Sequence, residues 1–234
     1  MLRRPRNTIL LVLAAASCQI AAAPAPIDPL STRISLIRDR FVTAVRRCGI
    51  TPRFVPTIAV LSTPSVIAYD DTQRTIFVGR WETLPPPIQS FFERWAAKDF
   101  PGQPPHRLYD QLFNDFLVGH ELGHWLADQS IRSLGLDHYD AEIMANRFAI
   151  AFSNLRHPMK TGRIVGRFSY LTTLPNPVPP GEDERTWFNT HYESLGRTNP
   201  LAYNWYQGRF MAQAWKLRHT GNFCALVKAS TDDS

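Results

Sequence analysis

The sequence predicts an α+β domain, mostly helical, with helices packed around one small antiparallel sheet. Over most of the chain apolar residues recur at every third or fourth position, which is the spacing of one helix face. Between residues 57 and 80 this pattern gives way to short segments rich in β-branched residues, which favour strands. The 234 residues, 44% of them hydrophobic, are enough to bury a sizeable core, and no repeat or strong domain boundary divides them.

The first 23 residues are typical of a secretory signal peptide. Three arginines precede an apolar run, Ile9–Ala16, and small residues follow it as far as Ala23. The run is too short to span a bilayer. We therefore expect residues 1–23 to be removed, which leaves a single domain over residues 24–234 that is periplasmic or secreted.

A second interpretation of the same segment places the protein at a membrane. Residues 15–18 (AASC) resemble a bacterial lipobox, in which Cys18 would carry a lipid, although the usual leucine three places before the cysteine is missing. The membrane is a partner only in that case. Both interpretations imply export.

The charge of the chain gives little support to nucleic-acid binding. Of the formal net charge of +6, three positive charges belong to the arginines of the predicted signal. The remaining Lys and Arg are scattered among acidic residues, with no basic stripe or tract. We therefore predict no nucleic-acid partner.

Cys48 and Cys224 are the two cysteines that remain whatever happens to Cys18. In an oxidising compartment two leftover thiols usually pair, so we expect a disulfide, with two buried free thiols as the alternative. The bond requires the two Cα atoms to lie within about 7 Å of each other.

The first half of the domain is predicted as one helix followed by three strands. Residues 24–29 form a spacer, and the helix Leu30–Cys48 follows with Gly49 as its stop. Short turns separate the next segments, so we expect an antiparallel meander. The predicted strands are Thr57–Leu61, Ser65–Tyr69 and Thr75–Arg80.

The rest of the chain is predicted to be helical, apart from a loop rich in Pro, Gly and charge at Pro175–Glu184. Asn199 and Pro200 indicate a helix start, with Asn as the cap and Pro at the first position. The predicted helices are Pro86–Lys98, His106–Gln129, Asp140–Asn154, Thr161–Leu174 and Pro200–Arg218.

The segment that carries chemistry is the HExxH motif at residues 120–124. Residues four apart lie on one helix face, so His120 and His124 can present imidazole nitrogens to one ion. Glu121, offset around the helix, can reach a water beside the ion without binding the ion. The alternative is a helix with two histidines on a solvated face, which fits poorly because the flanking residues are apolar. They are Phe116, Leu117, Val118, Leu122, Trp125 and Leu126.

A hydrolytic zinc site needs a third protein ligand, and Glu142 is the best candidate. It follows His124 by 18 residues, enough for a turn and an antiparallel return onto the first helix. Residues 142–149 resemble the third-ligand motif E-x-x-A-[DN]-x-F-A of the gluzincin metallopeptidases. The layout is similar to that of exported, single-domain bacterial metallopeptidases, and the specific resemblance covers residues 120–149.

The resemblance implies a zincin-like fold, with the small sheet packed near the helix that carries the motif. It implies Zn²⁺ bound by His120, His124 and Glu142, with Glu121 as the general base. In that family a His or Tyr beyond the third ligand donates to the oxyanion. The candidate region here is Thr190-His191-Tyr192, with His191 favoured.

Other residues match metal binding less well. A metzincin would need Gly and His where this chain has Ala127 and Ser130. Asp137 and Asp140 are weaker ligand candidates that more often act as helix caps.

Two further polar residues could hydrogen-bond to the ligands. Asn146 lies one turn beyond Glu142, and Asp128 one turn beyond His124. Exposed polar side chains are the alternative at both positions.

We therefore predict an exported zinc peptidase that binds a peptide or protein in extended form along a sheet edge, at Ser65–Tyr69 or Thr75–Arg80. The alternative from another class is a non-catalytic, zincin-like binding or assembly module, which would have no need of Glu121. A zinc hydrolase that acts on a non-peptide amide is the third possibility.

Overall fold

A computed structural model gives the fold of residues 28–61, 66–129 and 135–231. The predicted signal peptide, Cys18 and Ser130 lie outside these ranges. The described chain is mostly helical with one small sheet, which confirms the α+β class. None of its helices is long and apolar enough to cross a lipid bilayer.

Helices form most of the described chain. The α-helices are α1 (Pro29–Arg47), α2 (Pro86–Asp99), α3 (Pro105–Tyr109), α4 (Val118–Ala127), α5 (His138–Arg156), α6 (Pro158–Arg167), α7 (Glu184–Thr198), α8 (Pro200–Lys216) and α9 (Phe223–Thr231). Short 3-10 segments span Trp81–Thr83, Phe168–Thr173 and Leu217–His219. Sequence reasoning located α1, α2, α5 and α8, and Asn199 caps α8 as predicted. It missed α7 and α9; α7 begins with charged residues that resemble a continuation of the preceding loop.

The predicted helix His106–Gln129 is three pieces, α3, a π-helical segment at Asp110–Phe116 and α4. At its end the Leu117 N–H donates to the carbonyl of Leu112, five residues back, at 2.8 Å. The HExxH motif therefore lies on a short helix whose start follows directly on this wider turn.

The sheet contains β1 (Thr57–Leu61), β2 (Ile67–Asp70) and β3 (Thr75–Gly79) in the order β1-β3-β2. β3 is antiparallel to β2 but parallel to β1, so the predicted antiparallel meander is wrong. The central place goes to β3, the most buried of the three strands, in which Ile76 and Val78 are fully buried. β1 and β2 are half-buried and form the two edges.

The disulfide between Cys48 and Cys224 is present, with a Cα–Cα distance of 5.1 Å, so this prediction is confirmed. Cys48 follows α1 and Cys224 lies in the first turn of α9. The bond therefore joins the first and last helices of the described chain.

The helices α4 and α5 run through the centre of the molecule. On one side Trp125 and Phe148 pack with Phe41 of α1 and with the sheet. On the other side α5 packs against α7 and α8 around Phe188 and Phe210. The motif of α4 is consequently buried between two apolar clusters.

Candidate metal centre

Two glycines of α4 allow it to approach α5 closely. A Cβ at Gly123 would lie 2.9 Å from the Cα of Ala145, and a Cβ at Gly119 would lie 3.2 Å from the Cα of Ala149. These two pairings show that the helices run antiparallel, as the spacing from His124 to Glu142 predicted. Small residues on both helices thus bring the motif against the start of α5.

His120, His124 and Glu142 meet at this contact. The Nε2 atom of His120 lies 3.1 Å from Nε2 of His124 and 3.3 Å from Oε2 of Glu142. The Nε2 atom of His124 lies 3.7 Å from Oε1 of Glu142. Ligand atoms about 2 Å from a tetrahedral ion lie about 3.3 Å from one another. The three side chains therefore form a group that could hold a metal ion.

Asn146 orients the first histidine. Its Oδ1 lies 3.2 Å from Nδ1 of His120, while its Nδ2 donates to the carbonyl of Glu142 at 3.0 Å. Because Oδ1 can only accept, Nδ1 of His120 carries a proton, and Nε2 is the nitrogen that faces the other two groups. Asn146 thus contacts a candidate ligand and is buried, instead of exposed as in the alternative interpretation.

The Glu142 carboxylate, 1% exposed, is held by three hydrogen-bond donors. The hydroxyls of Tyr203 and Tyr192 donate to Oε1 at 3.0 and 3.2 Å, and Nε2 of Gln207 donates to Oε2 at 2.7 Å. Burial alone would raise the pKa of Glu142, but the hydrogen bond from His120 and the other contacts outweigh it and lower the pKa to about 2. The group is therefore ionised, as a ligand must be.

The second histidine is neutral at physiological pH. Burial lowers the pKa of His124 to about 4, despite the opposing charge of Glu142. A neutral imidazole is the form that binds a metal ion. The His124 side chain is also 24% exposed, whereas those of His120 and Glu142 are 5% and 1% exposed, so solvent reaches the group beside His124.

Glu121 lies outside the group of ligand atoms. Its Oε2 accepts a hydrogen bond of 2.8 Å from the backbone N–H of Tyr69 in β2. Burial raises the pKa of Glu121 to about 7. A carboxylate with a pKa near neutrality is suited to general acid–base chemistry.

A cleft of about 320 Å³ is lined by the three HExxH residues His120, Glu121 and His124 and by Glu142. β2 contributes Ile67–Tyr69 to its wall, and α7 and α8 contribute Tyr192 and Tyr203. The Tyr69 N–H points away from β3, because it donates to Glu121. β2 is thus the edge strand that borders the cleft, whereas the alternative edge predicted at Thr75–Arg80 is the central strand.

His191 does not belong to this cleft. Its Nδ1 lies 2.7 Å from the carbonyl of Trp187, and its ring stacks on the Trp187 ring at a centroid distance of 4.3 Å. Neighbouring residues of a helix point about 100° apart, so Tyr192 faces the cleft while His191 faces away from it. The geometry does not support the predicted role of His191.

The weaker candidates are placed as structural residues. Asp137 caps α5 by accepting from the Asp140 N–H at 3.0 Å, and both aspartates pair with Arg185. The Asp128 carboxylate accepts from the Tyr69 hydroxyl at 2.9 Å and so supports β2 instead of a ligand.

Sequence reasoning missed the residues that hold Glu142 from α7 and α8. Tyr203 and Gln207 lie four residues apart on a predicted helix, so both face the same side. That spacing was the only available signal, because the partner carboxylate is about sixty residues away in the chain. Tyr192 belonged to the candidate region for the oxyanion donor, but nothing local indicated that it would contact Glu142.

Comparisons with protein-family models, with curated proteins and with solved structures found no match to this chain. The description of the site therefore rests on its own geometry.

Proposed function

We propose that this protein is an exported zinc-dependent hydrolase that cleaves peptide bonds. One observation carries the proposal. The imidazoles of His120 and His124 and the carboxylate of Glu142 converge at the spacing of metal ligands. A second buried carboxylate, that of Glu121, lies beside this group without belonging to it. A binding module needs the first three groups but has no use for the fourth.

The donor set favours zinc. His120, His124 and Glu142 would hold the ion through two nitrogens and one oxygen, and this set with one further open position is typical of catalytic zinc. When bound, the ion supplies Lewis acidity, which polarises a substrate carbonyl and lowers the pKa of water.

Glu121 is the proposed general base. Its carboxylate would take the proton of the attacking water and then deliver that proton to the leaving amine, so that the side chain ends in its starting state. The hydrogen bond from the Tyr69 N–H fixes one oxygen, Oε2, and leaves Oε1 for the proton.

Tyr192 replaces His191 as the proposed donor to the developing oxyanion. Its hydroxyl lines the cleft and donates to Glu142 Oε1 at 3.2 Å, and it would turn this one proton from Glu142 to the oxyanion. Burial and then the charge of Glu142 raise its pKa above the ordinary value, so the hydroxyl keeps its proton and remains a donor.

The proposed substrate class rests on the edge of β2 that borders the cleft. An extended peptide could lie along this edge as an added strand and use the outward-facing backbone groups that bond neither to β3 nor, as the Tyr69 N–H does, to Glu121. Its scissile bond would then lie along the cleft beside Glu121.

The test is the variant Glu121→Gln in the mature protein. The amide is nearly the same size but is a poor base, so we expect unchanged zinc content and peptide hydrolysis reduced by about 100-fold or more. The readouts are metal analysis and a peptide-library digest, with the exposed Glu93→Gln as matched control.

Two outcomes would contradict the proposal. Hydrolysis by Glu121→Gln at the wild-type rate would remove the assigned base. Wild-type protein that binds zinc but cleaves no peptide in the library would favour the non-catalytic module or an amide other than a peptide.

A further inference from the structure

A second groove, of about 520 Å³, lies between α1, α6 and the end of α5. Arg156 marks this end of α5, fourteen residues beyond Glu142 and thus about 21 Å along the helix. The groove is therefore separate from the metal centre. It contains six Lys and Arg side chains and one acid, Asp115. The cations are Arg33, Arg40, Arg156, Lys160, Arg163 and Arg167.

Most of these cations lack an acidic partner. Arg33 pairs with Asp110 at 3.2 Å and with Asp115 at 3.5 Å. In contrast, the exposed side chains of Arg40, Lys160 and Arg163 make no hydrogen bond or ion pair with any residue that the structure describes. The fold therefore concentrates positive charge here and neutralises only part of it, chiefly through Asp115.

The remaining two arginines are partly buried and close to other cations. Burial, together with the charge of Arg40, lowers the pKa of Arg156, and burial with the charge of Arg163 lowers the pKa of Arg167. Like charges so close together are unfavourable without a counter-charge. An anion in the groove would relieve this repulsion.

The floor of the groove is apolar, whereas its rims are charged. Ile37, Phe116 and Phe152 line it and are only 5 to 7% exposed. The exposed cations stand on α1 and α6 on either side of this floor. A ligand that fits therefore combines acidic groups on its sides with apolar groups beneath.

We propose that this groove binds an acidic peptide segment in extended form, with carboxylate side chains that alternate with apolar ones. The rim cations Arg33 and Arg40 lie seven residues apart on α1, and Lys160 and Arg167 lie seven apart on α6. Each pair spans about 10 Å, because a helix rises about 1.5 Å per residue. Three residues of an extended peptide cover the same length and present side chains to alternate sides.

Other anionic partners match the groove less well. Single-stranded nucleic acid is held by exposed aromatic rings on which bases stack, and the rings of Phe116 and Phe152 are buried. An anionic bilayer offers a broad surface that cannot follow a concave groove with an apolar floor.

The test measures binding of a short fluorescein-labelled peptide, in which Glu alternates with Val, to the full mature protein by fluorescence anisotropy. We expect a Kd in the micromolar range that weakens as salt is raised, and no binding of the Gln-Val analogue. Binding does not depend on zinc or on Glu121, so this test and the hydrolysis test fail independently.

The variant that tests the location is Arg40→Glu with Arg163→Glu, which we expect to weaken binding about tenfold or more. The matched control is Arg46→Glu with Arg94→Glu, which changes the charge equally at exposed positions outside the groove and leaves the affinity within about twofold. Circular dichroism checks that both proteins are folded.

Three outcomes would overturn the proposal. One is equal loss of affinity in the two double variants, which would indicate a general charge effect. Another is failure of the Glu-Val peptide to bind. The third is binding of phosphatidylglycerol vesicles, with the same dependence on Arg40 and Arg163, in place of the peptide.

Discussion

The candidate metal centre and the basic groove between α1, α6 and the end of α5 differ in how their charged groups are paired. In the candidate metal centre the carboxylate of Glu142 is buried, and each of its two oxygens is opposed by a donor or an imidazole. In the basic groove six cations face one acid, Asp115, and Arg40 and Arg163 form no ion pair with any acid of the described chain. Under the two proposals the first cleft would take a single ion, whereas the second would take a whole acidic segment. Removal of a charge should therefore weaken the first cleft but relieve repulsion in the second.

Removing a charge from the metal centre should have the largest effect. Glu142→Ala deletes a ligand, and we expect zinc affinity to fall by more than about 100-fold, because even the loss of an outer hydrogen-bond partner costs roughly 10- to 100-fold. Titration against a chromophoric chelator measures this. The control Asp140→Ala removes a carboxylate of the same helix that pairs with Arg185, and should keep wild-type affinity.

Equal zinc affinity in the wild type and Glu142→Ala would mean that the third ligand is another residue. A large loss in Asp140→Ala would point to the weaker ligand candidate in place of Glu142.

The contact between α4 and α5 should be the next most sensitive feature. A Cβ in Gly123→Ala would lie 2.9 Å from the Cα of Ala145 and 3.1 Å from the Cβ of Phe148, so the helices must separate. We expect a loss of about 1–3 kcal/mol in the free energy of unfolding, together with weaker zinc binding. Urea denaturation and chelator titration check the two effects.

Gly196→Ala is the matched control. It lies inside α7 with open space around the added Cβ, so we expect unchanged zinc binding and a gain of up to about 1 kcal/mol from helix propensity. A Gly123→Ala protein as stable as this control would show that close approach does not position the ligands.

The smallest expected effect is on stability, which should change in opposite directions when two different arginines are replaced. Arg40→Gln removes one of several mutually repelling cations of the basic groove, and we expect the free energy of unfolding to rise by a few tenths of a kcal/mol. Arg209→Gln breaks an ion pair of 3.0 Å with Glu184 and should lower it by a similar amount. Urea denaturation at low salt measures both. A fall in stability for Arg40→Gln would mean that the groove is not under charge repulsion.

The contrast also shows what a sequence can disclose. The candidate metal centre was predictable because helix geometry alone places His120 and His124 together, and the local motif at residues 142–149 indicates Glu142 as the third ligand. The basic groove was not, since its cations come from segments more than a hundred residues apart and look scattered along the chain. Their convergence is a product of tertiary packing.

The same distinction explains the errors in the fold. Helix periodicity located most long helices, but the order of strands depends on contacts distant in the sequence. The short turns suggested a meander, in which β2 would be central. Instead the most buried strand, β3, is central and lies between β1 and β2. The choice between His191 and Tyr192 failed for a related reason. Sequence position was right to within one residue, but one residue on a helix turns a side chain by about 100°.

The measurement that tests the central claim most directly is a crystal structure of the purified mature protein, with anomalous diffraction recorded on both sides of the zinc absorption edge. The expected result is one zinc ion about 2 Å from Nε2 of His120, Nε2 of His124 and the carboxylate of Glu142, with Glu121 beside it but not bound. An anomalous signal elsewhere, or protein that shows none after incubation with zinc, would contradict the assignment of a zinc hydrolase.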